Sequence, residues 1–202
     1  MRPLLPSQVA WYVTGRFYAA DTGSILDVGY FLHLPGIDDG DLFAGTPGEA
    51  TACFTFAAAP FTASQVSNGG LSLALDAVGE FGLYLNRRPA ATFDDPQSFA
   101  AGEEIARFRR RNIVVGATVA GPAETAGQAG GSPAPPALIS QNVFSAALLW
   151  SCEFEHAGRR HDLGRLLPHG ITQWGTASAQ PMPPPAGYST SLPFVGWAVA
   201  VG

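Results

Sequence analysis

The chain has 202 residues, no lysine, eleven arginines against sixteen acidic residues, and a net charge of −5. That balance excludes a basic nucleic-acid-binding surface, and no stretch approaches the ~18 apolar residues of a membrane helix. Only 13% of residues are charged, against about 25% in ordinary globular domains, so the surface is easily buried and a homo-oligomer or an apolar groove is expected.

Met1–Ala10 lacks the apolar run of a signal peptide, and a cytoplasmic location is expected. Val9–Ala20 is rich in aromatic and β-branched residues and reads as a strand. Asp21-Thr22-Gly23 then turns the chain into a second strand over Ser24–Leu34, which Pro35-Gly36 ends. Ile37–Gly48 is a loop rich in Asp and Gly. Ala50–Ala57 alternates with period two, as do Leu71, Leu73 and Leu75, and then Phe81, Leu83 and Leu85. Arg88–Phe99 reads as a loop.

Glu104–Ala120 gives one bent strand or two short ones, with the break at Arg111-Asn112. Its basic run places Arg107, Arg109 and Arg111 on one face, and Phe108 and Arg110 on the other. The first set is either a solvated, salt-bridged face or an anion-gripping patch. Gln97–Phe108 is the best helix candidate, with Ser98 as cap, but Gly102 weakens it.

Residues 121–137 and 177–187 are Gly/Pro/Ala-rich and read as flexible loops. Between and after them, Val143–His156 is a long apolar strand, Arg160–Leu167 returns from a turn at Ala157-Gly158-Arg159, and Ile171–Trp174 and Ser191–Val201 are further strands. The pattern predicts nine to eleven strands in one all-β domain spanning 1–202. An antiparallel β-barrel is expected, because the first and last strands are both strong and their pairing would close it; a β-sandwich is the alternative.

No P-loop, G-x-G-x-x-G, G-x-S-x-G, H-E-x-x-H or C-x-x-C is present, so no cofactor and no metal is expected. Cys53 and Cys152 sit in apolar runs and read as buried free thiols, or as one bridge if their strands are neighbours. The densest polar stretch is Cys152–His169, where Glu153, Glu155, His156 and His161 surround a turn. A histidine beside a carboxylate can act as a general acid or base; a solvated hairpin tip or a metal pair are the other readings. Glu80 and Tyr84, and Asp27 and His33 on a face shared with Phe31, pose the same inward-or-outward question.

Trp11, Trp150, Trp174 and Trp197 fall on four strand-like segments. They are either core or the lining of a barrel mouth suited to an apolar ligand. The candidate acid/base groups are therefore Glu153, Glu155, His156, His161 and Tyr84. The candidate ligand-lining residues are Trp11, Phe31, His33, Trp150 and Trp174.

Gly15-Arg16-Phe17 leading through a hairpin to Gly29-Tyr30-Phe31 resembles the small lipocalin-like and allene-oxide-cyclase-like barrels. That resemblance implies either a carrier or a cofactor-independent cyclase or isomerase acting on a hydrophobic, natural-product- or lipid-like molecule. The composition leaves a second class open, a non-catalytic ligand-binding or self-assembling protein.

Overall fold

The computed structural model describes residues 2–20, 24–59, 64–68, 71–76, 79–111, 114–119, 139–178 and 181–202. Its strands are β1 (Val9–Ala20), β2 (Ile25–His33), β3 (Phe54–Ala58), β4 (Ser64–Asn68), β5 (Leu71–Asp76), β6 (Glu80–Leu85) and β7 (Glu103–Arg110). They continue with β8 (Val114–Val119), β9 (Ile139–Ser151), β10 (Phe154–His156), β11 (Arg159–His161), β12 (Ile171–Ala177) and β13 (Tyr188–Ala200), with one short helix, α1 (Leu163–Leu166).

Eight strands close an antiparallel barrel in the order β1-β2-β3-β6-β7-β9-β12-β13 and back to β1. The closure is the one expected from the sequence: the first and last strands pair along nearly their whole length, from Val9↔Val199 to Ala20↔Tyr188. Each barrel strand neighbours the next barrel strand in the chain, so the topology is up-and-down. The hairpin β4–β5, then β8, are insertions that join the wall only through β9. The length of β9 makes this possible: Gln141–Ala146 pair with β12, Ala146–Ser151 with β7, and Ile139–Gln141 with β8.

Period two decides the two faces. On β1, Trp11 and Val13 point into the barrel while Tyr12 stands exposed outside. On β3, Phe54 and Phe56 point in and Thr55 and Ala57 point out. Gly15 and Gly29 face each other across β1 and β2. A Cβ on either would fall 2.2 or 2.1 Å from a neighbouring carbonyl oxygen, and less than 3 Å from the Phe194 or Phe56 ring. The missing side chains are what let those two rings lie against the wall.

One end of the barrel is plugged. Phe154 of the β10–β11 hairpin, Leu163, Leu166 and Leu167 around α1, and Leu34, Ile37 and Leu42 join the interior core there. Asp162 starts α1 by accepting from the Gly164 N–H (2.8 Å) and the Ser151 hydroxyl (2.7 Å). Outside the barrel, the segment between β6 and β7 straps β1, β2 and β3: Ala91, Phe93 and Phe99 bury Tyr18, Leu26, Val28 and Ala57. The strap is pinned by the Tyr18 hydroxyl donating to the Phe93 carbonyl (2.8 Å) and by Thr55 donating to the Phe99 carbonyl (2.6 Å). Asn86 in turn donates to Thr55 Oγ1 (2.8 Å). Burial pushes the Tyr18 phenol up to about 12.

Several elements differ from the sequence reading. The strands number thirteen among the described residues. Gln97–Phe108 is not a helix: Asp95 rather than Ser98 caps a 3-10 turn over Pro96–Ala100, and the chain then enters β7. The run Val143–His156 is broken at Cys152-Glu153, and Arg160–Leu167 is mostly not a strand, because the Asp162 cap turns it into α1. The loop 121–137 lies outside the described residues. In 177–187, Ala177 ends β12 and the Met182 N–H donates to the Ser191 carbonyl (2.9 Å), with 179–180 outside the described residues.

Candidate functional site

The interior is a mesh of aromatic rings. Trp11 meets Phe31 and Phe108 edge-on at 5.7 and 5.5 Å, and Phe81 stacks on Phe108 at 5.3 Å. Phe81 in turn meets Phe144 edge-on at 6.1 Å. The Trp11 indole N–H is satisfied by Gln173 Oε1 (3.0 Å), itself buried. Edge-on pairs of this kind add stabilisation beyond area burial.

One ion pair crosses this apolar space. Asp27 on β2 and Arg110 on β7 belong to strands separated in the wall by β3 and β6. Their side chains meet across the lumen, with Arg110 Nη2 donating to Asp27 Oδ1 (3.0 Å) and Oδ2 (3.1 Å). They are only 3% and 9% exposed, so both charges are desolvated. The guanidinium also lies over the Phe144 ring (5.0 Å) and the Phe81 ring (5.7 Å). The pair sits toward the end opposite the plug, where β7 finishes. Beside it is a void of about 10 Å³, bounded by Trp11, Phe31, Phe56, Phe144 and Gln173. That is room for roughly one water, so a larger occupant requires aromatic rings to turn aside.

The residues singled out from the sequence divide between three places. Trp11 and Phe31 line the void. Trp174 and His33 stand on the outer wall: Trp174 is cross-strand partner of Trp197, and His33 is paired with Tyr12. Trp150 is outside too, 40% exposed opposite Arg107.

The five acid/base candidates do not line the void. Four lie around the plugged end. Glu153 is exposed and bonded to Arg165 (2.7 Å), and Glu155 is exposed and paired with Arg160 (3.3 Å). His156 donates from Nε2 to the Asp41 carbonyl (2.7 Å), with its ring edge-on to Phe54 at 4.8 Å. His161 is buried and stacked on Phe154 at 5.3 Å, and its Nε2 donates to the His156 carbonyl (3.3 Å). Its Nδ1 has no hydrogen-bond partner among the described residues. Tyr84 points outward from β6, where burial first and Glu104 second push its phenol up.

Cys53 and Cys152 are free thiols, and burial raises both, so neither is a thiolate at neutral pH. No group of three metal-ligating side chains occurs among the described residues.

Arg110 was visible in the sequence only as sharing a strand face with Phe108 within a basic run, and Asp27 only as a carboxylate on a largely apolar face. Their partnership joins residues 83 positions apart, and no local pattern encodes it. The outward Arg107 and Arg109 form the salt-bridged face: Arg107 bonds Glu104 (2.7 Å) and Arg109 bonds Glu80 (2.6 Å).

No helix is long and apolar enough to cross a membrane among the described residues. Compared with known proteins, the chain matches no family model, no curated protein and no solved structure.

Proposed function

We propose that the barrel binds a small, largely apolar molecule at its Asp27–Arg110 end, with the aromatic cluster holding the body of the molecule and the ion pair orienting a polar group. The supporting observation is the pair itself. A desolvated ion pair rarely repays its own burial and is often replaceable by packed apolar side chains. Charges kept inside an aromatic lumen are therefore a reason to look for a ligand that uses them. Because the void holds about one water, binding in this reading is coupled to rotation of Phe rings around Arg110. Rearrangement of the bound molecule without a cofactor, a cyclisation or isomerisation, would fall to Asp27 as proton acceptor and Arg110 as its electrostatic partner.

The test is a thermal-shift and Trp-fluorescence screen with hexanoate, decanoate, benzoate, cinnamate and the corresponding alcohols. Concentration-dependent stabilisation by some of these, lost in Asp27→Leu/Arg110→Met, supports the reading. A flat response across the panel, or one unchanged in the double variant, counts against it.

A further inference from the structure

Charge is segregated around the barrel wall. The four adjacent strands β9, β12, β13 and β1 carry one charged residue between them, Arg16. Its guanidinium is drawn over the Phe93 ring of the strap (4.3 Å). Across the barrel, β6 and β7 carry Glu80, Glu103, Glu104, Arg107, Arg109 and Arg110. A sheet face turned to water normally bears polar and charged side chains, which also guard it against association.

The uncharged face is open and apolar. Val143, Trp174, Trp197 and Tyr12 stand side by side across β9, β12, β13 and β1. Tyr12 is 46%, Trp197 42% and Val143 40% exposed, and Val195 in the adjoining row is 55% exposed. The Trp174 and Trp197 rings lie nearly parallel (17°) at 6.2 Å, which fixes both without a covering partner.

Three hydroxyls on it are already satisfied within the face: Ser145 and Thr172 bond each other (2.9 Å), and Thr14 donates to the Phe194 carbonyl (3.1 Å). Burying this face therefore strands no charge and few polar groups. Strand β12 is seven residues long and β1 is open only ahead of the strap, so four strands at ~4.8 Å spacing, open over roughly 20–25 Å, offer about 400–500 Å². That is smaller than the ~800 Å² per partner of a standard stable interface and fits a weaker, concentration-dependent dimer.

We infer that this face is the interface of a homodimer, in which a second copy lays its own β9–β12–β13–β1 wall on the first. The occupant is a second copy because the face has no charge for a charged partner to complement. A two-fold axis lets one apolar patch serve both sides, the two convex barrel walls meeting along their central strands β12 and β13. The inference concerns the outside of the barrel and stands or falls independently of ligand binding inside it.

The test is sedimentation velocity of the full chain over two decades of micromolar concentration. The expected species is twice the 21.1 kDa chain mass. Trp197→Glu places a carboxylate in the middle of the face and is expected to raise the dimer dissociation constant roughly 100-fold or more. Circular dichroism checks that the variant is folded; if it is not, Thr176→Arg, outward on the same face, takes its place with the same expectation. A wild-type chain that remains monomeric throughout, whatever else covers the face, overturns the inference. So does a folded variant that dimerises as the wild type does.

Discussion

Replacing Asp27 by Leu should be among the most damaging single changes in the barrel, and adding Arg110→Met should repair most of the damage. In the wild type each charge is compensated by the other at 3.0 Å, with the side chains 3% and 9% exposed. Asp27→Leu removes the carboxylate that the buried Arg110 Nη2 meets at 3.0 and 3.1 Å, a loss of about 3–5 kcal/mol. The Phe144 and Phe81 rings at 5.0 and 5.7 Å remain, but they are present before and after the change and do not offset the loss. Asp27→Asn keeps an oxygen acceptor in place and should cost less, about 2 kcal/mol, because only the charge assistance of the bond is removed.

The double variant Asp27→Leu/Arg110→Met fills the same space with apolar side chains among Phe rings. It should lie within about 1 kcal/mol of the wild type, or above it. The coupling energy between the two sites should then be at least about 2 kcal/mol. Urea unfolding followed by tryptophan fluorescence measures all four corners of the cycle, since Trp11 lies in the same cluster. An Asp27→Leu cost below about 1 kcal/mol, or effects that simply add, would refute the reasoning that the pair is desolvated and mutually compensating.

Thr55→Val removes the acceptor of Asn86 and the donor to Phe99 together. Two buried polar groups lose partners, and chemical denaturation should show a loss of about 2–3 kcal/mol, with Arg87–Ala101 becoming the first segment to exchange amide hydrogens. His161→Phe keeps the stack on Phe154, gives up the long 3.3 Å bond from Nε2 to the His156 carbonyl, and removes a buried Nδ1 that has no hydrogen-bond partner among the described residues. It should leave the melting temperature unchanged or raise it, and a fall worth more than about 1.5 kcal/mol would give the imidazole a role that its described contacts do not supply. Tyr18 sets an alkaline limit. Its phenol has an ordinary pKa near 10 and is pushed up to about 12 in the fold by burial. The folded state therefore keeps a proton that the unfolded chain loses first. The stabilisation is complete below pH ~10 and drains away as pH rises toward 12, by on the order of 2 kcal/mol. Tyr18→Phe should flatten that part of a stability-versus-pH curve.

Much of the barrel could be read from the sequence because its signals are local. The aromatic and β-branched content of Val9–Ala20 marked β1 as a strand, and the strength of the first and last strands pointed to closure by their pairing. The same period-two rule separated Phe108 and Arg110 from Arg107 and Arg109. Helix α1 escaped because it is four residues long and depends on the Asp162 cap rather than on any apolar repeat. The ends of the strap escaped for the same reason, since Asp95 and the Pro96–Ala100 turn act through hydrogen bonds and not periodicity.

The candidate site was less legible. The hairpin around His156 and His161 attracted attention because polar residues cluster there in sequence. The interior pair is made of two charges on distant strands, and each looks ordinary among its own neighbours. Trp11 and Trp174 are alike in sequence, yet one is fully buried and the other stands on the outer wall. Each was placed by strand register, which composition does not set.

The most direct test of the central claim is native mass spectrometry of wild type and Asp27→Leu/Arg110→Met after incubation with whichever screened compound stabilises the wild type most. The account predicts a one-to-one adduct per chain in the wild type and a folded, ligand-free double variant. An adduct of equal occupancy on the double variant, or none on the wild type, would contradict it.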